Sequence, residues 1–434
     1  MFKVIDVKNN KYIFLPNTLN IYRYNEEIMT VYEKIERSES KENSDYKIIK
    51  ELMDNEERSR EYNLQTKLNY YDADTIEIAG CDINLLYECN LRCKYCFVND
   101  NHDNKGGVLS KENAEKILDF IFKHLSHKDY LIITLMGGEP LMNMETFKYI
   151  LEYGSYLGKI HNKKVEFITT TNAVLLDDER IAILEKYNVG FIMSLDSHIK
   201  EVNDYLRSDN KNSISVYEKV HDVIEKVKNK IDLHINVTIT PLNLNIFDTA
   251  KYLYEKGVKN IHFYLCDSDR QEMQFRKEHI NILKCEYEKI CDYILKKMEE
   301  GLIITCQPLT DNMKKLHLKQ PVFFPCSTLK NRAAFDSDGN MYPCIVLMES
   351  NTSFGNINNR IEADKLLYLK KTMLAEKDCD SCWARYLCGG ECLSSKLWDN
   401  LEQKKLRCSL KRHIFALRIY MYDYIITHKA KYIF

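Results

Sequence analysis

The chain has no run of about 18 apolar residues, so no stretch of it reads as a helix across a bilayer. Its first residues, Met1-Phe2-Lys3-Val4-Ile5-Asp6, lack the apolar core of a signal peptide, and a cytoplasmic location is expected. An excess of one charge is also missing. Lys and Arg number 62 against 64 Asp and Glu, a net −2, which leaves no global field to draw the chain onto nucleic acid or an anionic membrane. There is no internal repeat and no low-complexity tract. Collagen-like, low-complexity and integral membrane proteins are thereby excluded. With 434 residues, 45% of them hydrophobic, the chain can bury ordinary cores. At about 150 residues per domain its length suggests roughly three domains.

What the chain has in excess is cysteine, 15 in all. A reducing compartment makes a disulfide framework an unsuitable explanation. Cysteine there serves as a buried small hydrophobe, a redox pair or a metal ligand, and spacing decides among these.

The first 75 or so residues read as a separate unit. Segments 2–7, 11–15 and 19–24 have strand character and are broken at Asn9-Asn10 and Pro16-Asn17. Two helical stretches follow, 26–35 and 46–53, and the charged segment 56–74 suits a linker helix. From about residue 76 apolar strands at 76–86, 130–136, 165–171, 191–195, 233–240 and 261–265 alternate with helical stretches. These include 111–125, 144–159, 177–187, 216–227 and 246–256. Such alternation predicts an α/β fold of parallel βα units, and six of them make a partial barrel with its chemistry at the C-terminal strand ends. After about Gly301 the alternation stops, turn-rich segments carry seven cysteines, and 406–426 reads as a final helix.

Cys89-Asn-Leu-Arg-Cys93-Lys-Tyr-Cys96 follows the first barrel strand. Three thiolates so spaced can wrap one face of an iron–sulfur cube and leave one iron open, as a catalytic metal site requires. The competing reading is a structural zinc site with a distant fourth ligand.

The C-x3-C-x2-C pattern, with Tyr95 before its last Cys, resembles the radical S-adenosylmethionine (SAM) enzymes. The resemblance implies a [4Fe–4S] cluster on Cys89, Cys93 and Cys96 whose open iron chelates SAM. It implies a 5′-deoxyadenosyl radical that abstracts a substrate hydrogen. Gly137-Gly138-Glu139-Pro140 follows the second strand. Alone it suits a plain turn; after the cysteines it resembles the family's SAM-amine motif, with glycines for close backbone approach and a carboxylate for the ammonium. Thr171-Asn172 and Ser194-Leu195-Asp196 end the third and fourth strands. By resemblance Asn172, Ser194 and Arg207 contact the ribose or carboxylate of SAM. Ala173 and Ser197 stand where the family usually has Gly, and each polar residue alone would also suit a strand-end turn or helix cap.

Cys326, Gly339-Asn-Met-Tyr-Pro-Cys344, Cys379-x2-Cys382-x5-Cys388-x3-Cys392 and Cys408 resemble the seven-cysteine SPASM domain, which holds two auxiliary [4Fe–4S] clusters. Two zinc ribbons are the alternative. By resemblance Cys379, Cys382, Cys388 and Cys408 ligate the distal cluster, and Cys326, Cys344 and Cys392 the nearer one. Cys306 is the nearest upstream candidate for an eighth ligand; otherwise one iron is open to a substrate thiolate. The remaining cysteines, Cys81, Cys266, Cys285 and Cys291, read as mostly buried thiols, with Cys266 at a strand end.

Enzymes with SPASM domains mostly act on peptides. In sulfatase-maturating enzymes, which make formylglycine, an Asp base follows the G-x4-C cysteine; here that position is Ile345. The three-strand, helical N-terminus resembles the winged-helix-like domain with which ribosomal-peptide maturases add a leader peptide to a sheet edge. A dimerisation or capping subdomain is the plainer alternative, and the even charge of 1–54 argues against DNA binding. The chain is thus similar to the maturases of six-cysteines-in-forty-five-residues peptides. That implies a recognition domain with linker (1–75), a radical SAM partial (βα)6 barrel (76–305) and a SPASM domain (306–434). It implies three [4Fe–4S] clusters, SAM, and an electron donor such as flavodoxin or ferredoxin. It implies an oxidoreductase forming Cys thioether cross-links in a precursor peptide, with carbon–carbon cross-linking or formylglycine formation as the alternative.

Overall fold

The fold was derived from a computed structural model. It describes residues 2–39, 44–69, 75–96, 107–209, 213–228, 230, 233–268, 270–348, 351–374, 379–397 and 400–428. Strands β1 (Lys3–Val7), β2 (Asn10–Leu15) and β3 (Asn20–Arg23) form an antiparallel sheet in the order 1-2-3. Helices α1 (Glu26–Glu36) and α2 (Ser44–Asn69) follow. The predicted helices 46–53 and 56–74 are thus one helix up to Asn69, and the last predicted residues, 70–74, lie outside the described residues. No Gly or Pro lies between Met53 and Glu56, and buried Glu56 faces the sheet. Its carboxylate accepts from the Asn17 N–H (2.6 Å), the Thr18 N–H (3.0 Å) and the Thr18 hydroxyl (3.0 Å), which fixes the β2–β3 turn.

The remaining elements, in chain order, are β4 (Gly80–Asn84), α3 (Lys111–Lys123), β5 (Tyr130–Met136), α4 (Met144–Ile160), β6 (Lys164–Thr171), α5 (Asp178–Lys186) and β7 (Gly190–Ser194). Then come α6 (Lys200–Leu206), α7 (Val216–Val227), β8 (His234–Ile239), α8 (Ile246–Glu255), β9 (Asn260–Leu265), α9 (Lys277–Glu299), β10 (Thr305–Gln307) and α10 (Met313–His317). The chain closes with β11 (Arg332–Phe335), β12 (Met341–Tyr342), α11 (Ala363–Leu374), α12 (Arg385–Cys388), α13 (Leu393–Leu397) and α14 (Leu401–His428). No helix of the described residues is long and apolar enough to cross a membrane.

The six predicted barrel strands are β4 to β9, each parallel to its neighbour. Three short strands extend the sheet beyond the predicted six: β10 beside β9, and β11 with β12 beside β4, giving the order 10-9-8-7-6-5-4-11-12. The helices between the strands form because their apolar residues recur at helical spacing behind good caps. Ser110 Oγ accepts from the Asn113 N–H, and Ala114, Ile117, Leu118, Ile121 and Phe122 make the buried stripe of α3.

Parallel register puts laterally paired residues on one face. Cys81, Ile133, Phe167, Phe191, Ile235, Ile261 and Cys306 all belong to the face that packs into the common hydrophobic core with the helices. The opposite, concave face is polar. One row across it reads Ser194, Asn236, His262, Gln307.

Candidate active site

The cysteine loop 89–96 leaves β4 at the C-terminal mouth of the barrel, where parallel α/β barrels gather their chemistry. It is pinned on two sides. Toward β5, the Gly138 N–H donates to Leu86 O (2.8 Å) and the Glu139 N–H to Glu88 O (3.0 Å). Toward α6, the Arg92 N–H donates to Ser208 O (2.6 Å) and the Lys94 N–H to Leu206 O (2.9 Å). A Cβ on Gly138 would lie 2.1 Å from Glu88 O, and one on Gly137 2.5 Å from Leu86 O. The two glycines therefore make room for the backbone that delivers Cys89.

Glu139 is buried and already well supplied with donors. Its Oε1 accepts from the Thr171 hydroxyl (2.8 Å) and the Leu141 N–H (3.2 Å), and its Oε2 from the Asn172 N–H (2.8 Å). It ties the second strand end to the third. Burial outweighs these donors and raises its carboxyl above the usual range. Asn172 Nδ2 donates to Asn90 Oδ1 (2.7 Å) and lies 3.7 Å from Cys89 Sγ, while the Leu91 N–H approaches the same sulfur at 3.4 Å. Ser194 sits at the end of β7 on the concave face.

Tyr95 and Arg207 meet at a residue to which the sequence alone assigned no role. The Tyr95 hydroxyl donates to Asp196 Oδ2 (2.5 Å), and Arg207 Nη1 reaches the Tyr95 oxygen (2.5 Å) and Asp196 Oδ2 (3.4 Å). Asp196 is fully buried. Its Oδ1 accepts from the Thr238 N–H, its carbonyl from Asn243 Nδ2, and its N–H donates to Asn203 Oδ1. The signal was present in the Ser194-x-Asp196 motif, but its partners lie up to 101 residues away.

The three thiols fit an iron–sulfur cluster chemically. Burial raises Cys89 and pushes Cys93 up to about 12, with the nearby Arg207 guanidinium acting in the opposite direction. Asn90 Nδ2 and Arg207 Nε are buried beside them without a hydrogen-bond partner, so a ligand could satisfy donors that the fold leaves over. Among the described residues no three His, Cys, Asp or Glu side chains gather around a single ion position. A cube binds its cysteines at separate iron corners and needs no such convergence.

The C-terminal cysteines gather in two places that share Cys392. Cys379, Cys382, Cys388, Cys392 and Cys408 line one cavity with Arg385, Lys404, Arg407, Lys411 and Arg412. Cys344 lies within electrostatic reach of Cys326 and Cys392, which makes a trio at the sheet edge. Cys306 is elsewhere. Paired with Ile261, it faces the helical shell, hydrogen-bonded to Tyr254 and near Asp311 and Cys291. Cys266 Sγ donates to Met273 O (3.3 Å).

Comparison with known proteins agrees with this architecture. Residues 83–253, most of the barrel, match the model of the Radical SAM superfamily. It is 23% identical to the radical SAM cyclopropyl synthase TigE of Paramaledivibacter caminithermalis, over 74% of this chain and 68% of that one. It is 24% identical to a cysteine-type anaerobic sulfatase-maturating enzyme of Clostridium perfringens, over 70% of this chain and 85% of that one. The fold also resembles that of Streptococcus suis SuiB bound to its precursor peptide SuiA. The TM-score is 0.57 at 14% identity, over 92% of this chain and 97% of SuiB.

Proposed function

We propose that the chain is a radical SAM oxidoreductase that modifies a ribosomally made precursor peptide and forms Cys thioether cross-links. The carrying observation is the trio Cys326, Cys344 and Cys392, while Cys306, the nearest upstream candidate for a fourth ligand, faces away into the core. A cluster held by three protein thiols has a free position for a substrate thiolate. In this reading Cys89, Cys93 and Cys96 hold the SAM-binding cluster, Cys379, Cys382, Cys388 and Cys408 the distal auxiliary one, and residues 1–75, 76–305 and 306–434 are the three domains. When bound, the first cluster and SAM supply a 5′-deoxyadenosyl radical that removes a hydrogen atom from the peptide. This chain's residues do the rest by positioning. Gly137, Gly138 and Glu139 fix the cysteine loop, Asp196 orients Tyr95 and Arg207, and Ser194, Asn236 and His262 face the lumen.

The N-terminal sheet suits capture of a leader peptide. Among the described residues the outer edge of β3 is unpaired in its sheet, and a mostly apolar groove of about 300 Å³ lies beside it, lined by Tyr22, Ile28, Ile48 and Leu52 with Glu27 and Asp45. An added strand would gain main-chain hydrogen bonds from the edge and side-chain burial from the groove. The test is anaerobic reconstitution with SAM and dithionite, followed by a Cys-containing peptide encoded near this gene. Formation of 5′-deoxyadenosine and loss of two hydrogens per cross-link support the reading. Conversion of a peptide cysteine to formylglycine would favour the sulfatase-maturase alternative, which the Clostridium perfringens relative brings forward.

A further inference from the structure

A cross-link that removes two hydrogens from a peptide leaves a proton to be accepted. One hydrogen goes as an atom to the 5′-deoxyadenosyl radical. The other leaves the cysteine sulfur as a proton, and the matching electron passes to an oxidised auxiliary iron–sulfur cluster. Oxidation of the cysteine toward formylglycine releases the same proton and electron. Either reaction therefore needs a proton acceptor facing the lumen. The acids around the lumen are already committed. Asp82 is paired with Arg332 (2.5 Å), Glu166 with Lys164 (2.6 Å) and Asp196 with Arg207 (3.4 Å). Glu139 accepts from Thr171, Asn172 and Leu141.

His262 differs from all of these. It lies on the concave face in the row Ser194, Asn236, His262, Gln307. One ring nitrogen is hydrogen-bonded to Gln307, and among the described residues no charged group acts on the ring. Tyr264, two residues on along the same face, stacks on it with ring centroids 3.6 Å apart. The two contacts fix the plane of the imidazole and leave its second nitrogen over. Tyr264 keeps 46% of its surface exposed, so there is open space beside the pair.

We propose that His262 takes the proton of the substrate cysteine. The role rests on the peptide-modifying reading of the function. The S–H bond breaks with its electron pair left on sulfur, and the proton moves to the second imidazole nitrogen and from there to solvent. Burial depresses His262 to about 4, so the ring is proton-free and ready to accept at neutral pH. So weak a base suffices because a thiol that binds iron becomes far more acidic than a free one.

The experiment has two arms, both on the full chain. In the first, the cluster-free chain is treated with diethyl pyrocarbonate, which acylates unprotonated imidazole nitrogens, and the labelled sites are mapped by mass spectrometry. We expect label on His262 as well as on His127, whose side chain is 89% exposed. If His127 reacts and His262 does not, its second nitrogen is not free and the proposal falls. In the second arm, reconstituted wild type, H262Q and H262A are run with SAM, dithionite and the Cys-containing peptide encoded near this gene. Modified peptide is counted per 5′-deoxyadenosine formed. The ratio should fall by about tenfold or more in both variants, and added imidazole should restore it in H262A. A packing role alone would lower both products together, so a ratio within about twofold of wild type overturns the proposal. A low H262A ratio that imidazole leaves unchanged also overturns it. A wild type that makes 5′-deoxyadenosine and leaves the peptide untouched refutes the functional reading instead, while the labelling still decides whether His262 presents a free base.

Discussion

Substituting Gly138 by Ala is the sharpest test of how the cysteine loop is held. The added methyl would sit 2.1 Å from Glu88 O, 2.5 Å from Glu88 C and 2.7 Å from Tyr87 O, all backbone atoms that no side-chain rotation can move. The strand-end loop must retreat by roughly an ångström to restore van der Waals contact. That retreat breaks the hydrogen bonds from Gly138 N–H to Leu86 O and from Glu139 N–H to Glu88 O. Overpacking costs about 1–3 kcal/mol, and two backbone hydrogen bonds at about 0.5–1.5 kcal/mol each bring the total to about 2–6 kcal/mol. Because Cys89 is the next residue, the displacement also moves a thiol. The assay is the denaturant midpoint of the cluster-free chain together with iron per chain after anaerobic reconstitution. Gly190→Ala is the control: nothing lies nearer its Cβ than 3.8 Å, so it should be neutral or slightly stabilising. We expect G138A to lose stability and about four irons per chain. If G138A matches G190A in both readouts, the close-approach argument is wrong.

Three further outcomes are expected. Cys306→Ala should keep its full iron content, because that thiol faces the helices; loss of about four irons on reconstitution would show it to be a cluster ligand after all. Glu56→Ala should destabilise the N-terminal unit by about 3 kcal/mol or more, since three donors lose a buried charged acceptor, and amide exchange of Asn17 and Thr18 should rise; a change under about 1 kcal/mol would sink this account. His262, which burial depresses to about 4 against its Gln307 hydrogen bond, should make stability fall on acidification. Below about pH 6.5 the unfolded chain binds a proton that the folded chain refuses, so folded stability drops progressively from pH 6.5 to about 4, by about 3 kcal/mol in all. The His262→Gln variant should lose that part of the pH dependence in denaturant titrations; identical pH profiles would refute it.

The barrel was legible because its signals are local. Strand alternation and helix stripes need only a window of residues, and the C-x3-C-x2-C loop and the C-terminal cysteine spacings span short segments. What was not legible depends on pairing at long range. The direction of Cys306 was open from spacing alone; the register pairs it with Ile261 on the helix-facing side. Arg332 and Asp82 are 250 residues apart, and no local pattern links them. The short strands β10, β11 and β12 have two to four residues each, too few for a periodicity to show. Glu139 illustrates a subtler limit. A carboxylate in that motif suggests a ligand contact, and what the motif does not reveal is that Thr171, Asn172 and Leu141 also donate to it within the protein.

Charge placement distinguishes the surroundings of Cys408 from those of the other motif cysteines. Each thiolate on a cluster adds one negative charge, so a four-ligand site needs more compensation than a three-ligand one. Beside the first trio stands Arg207, already paired with Asp196. Beside the second stands Arg332, already held by both oxygens of Asp82. Around the distal quartet Arg385, Lys404 and Arg407 have carboxylate partners in Asp380, Glu391 and Asp267. Lys411 and Arg412 line the same cavity with no carboxylate paired to them among the described residues, and both act to lower the Cys408 thiol against the effect of burial. Positive charge with no carboxylate partner among the described residues therefore stands beside Cys408.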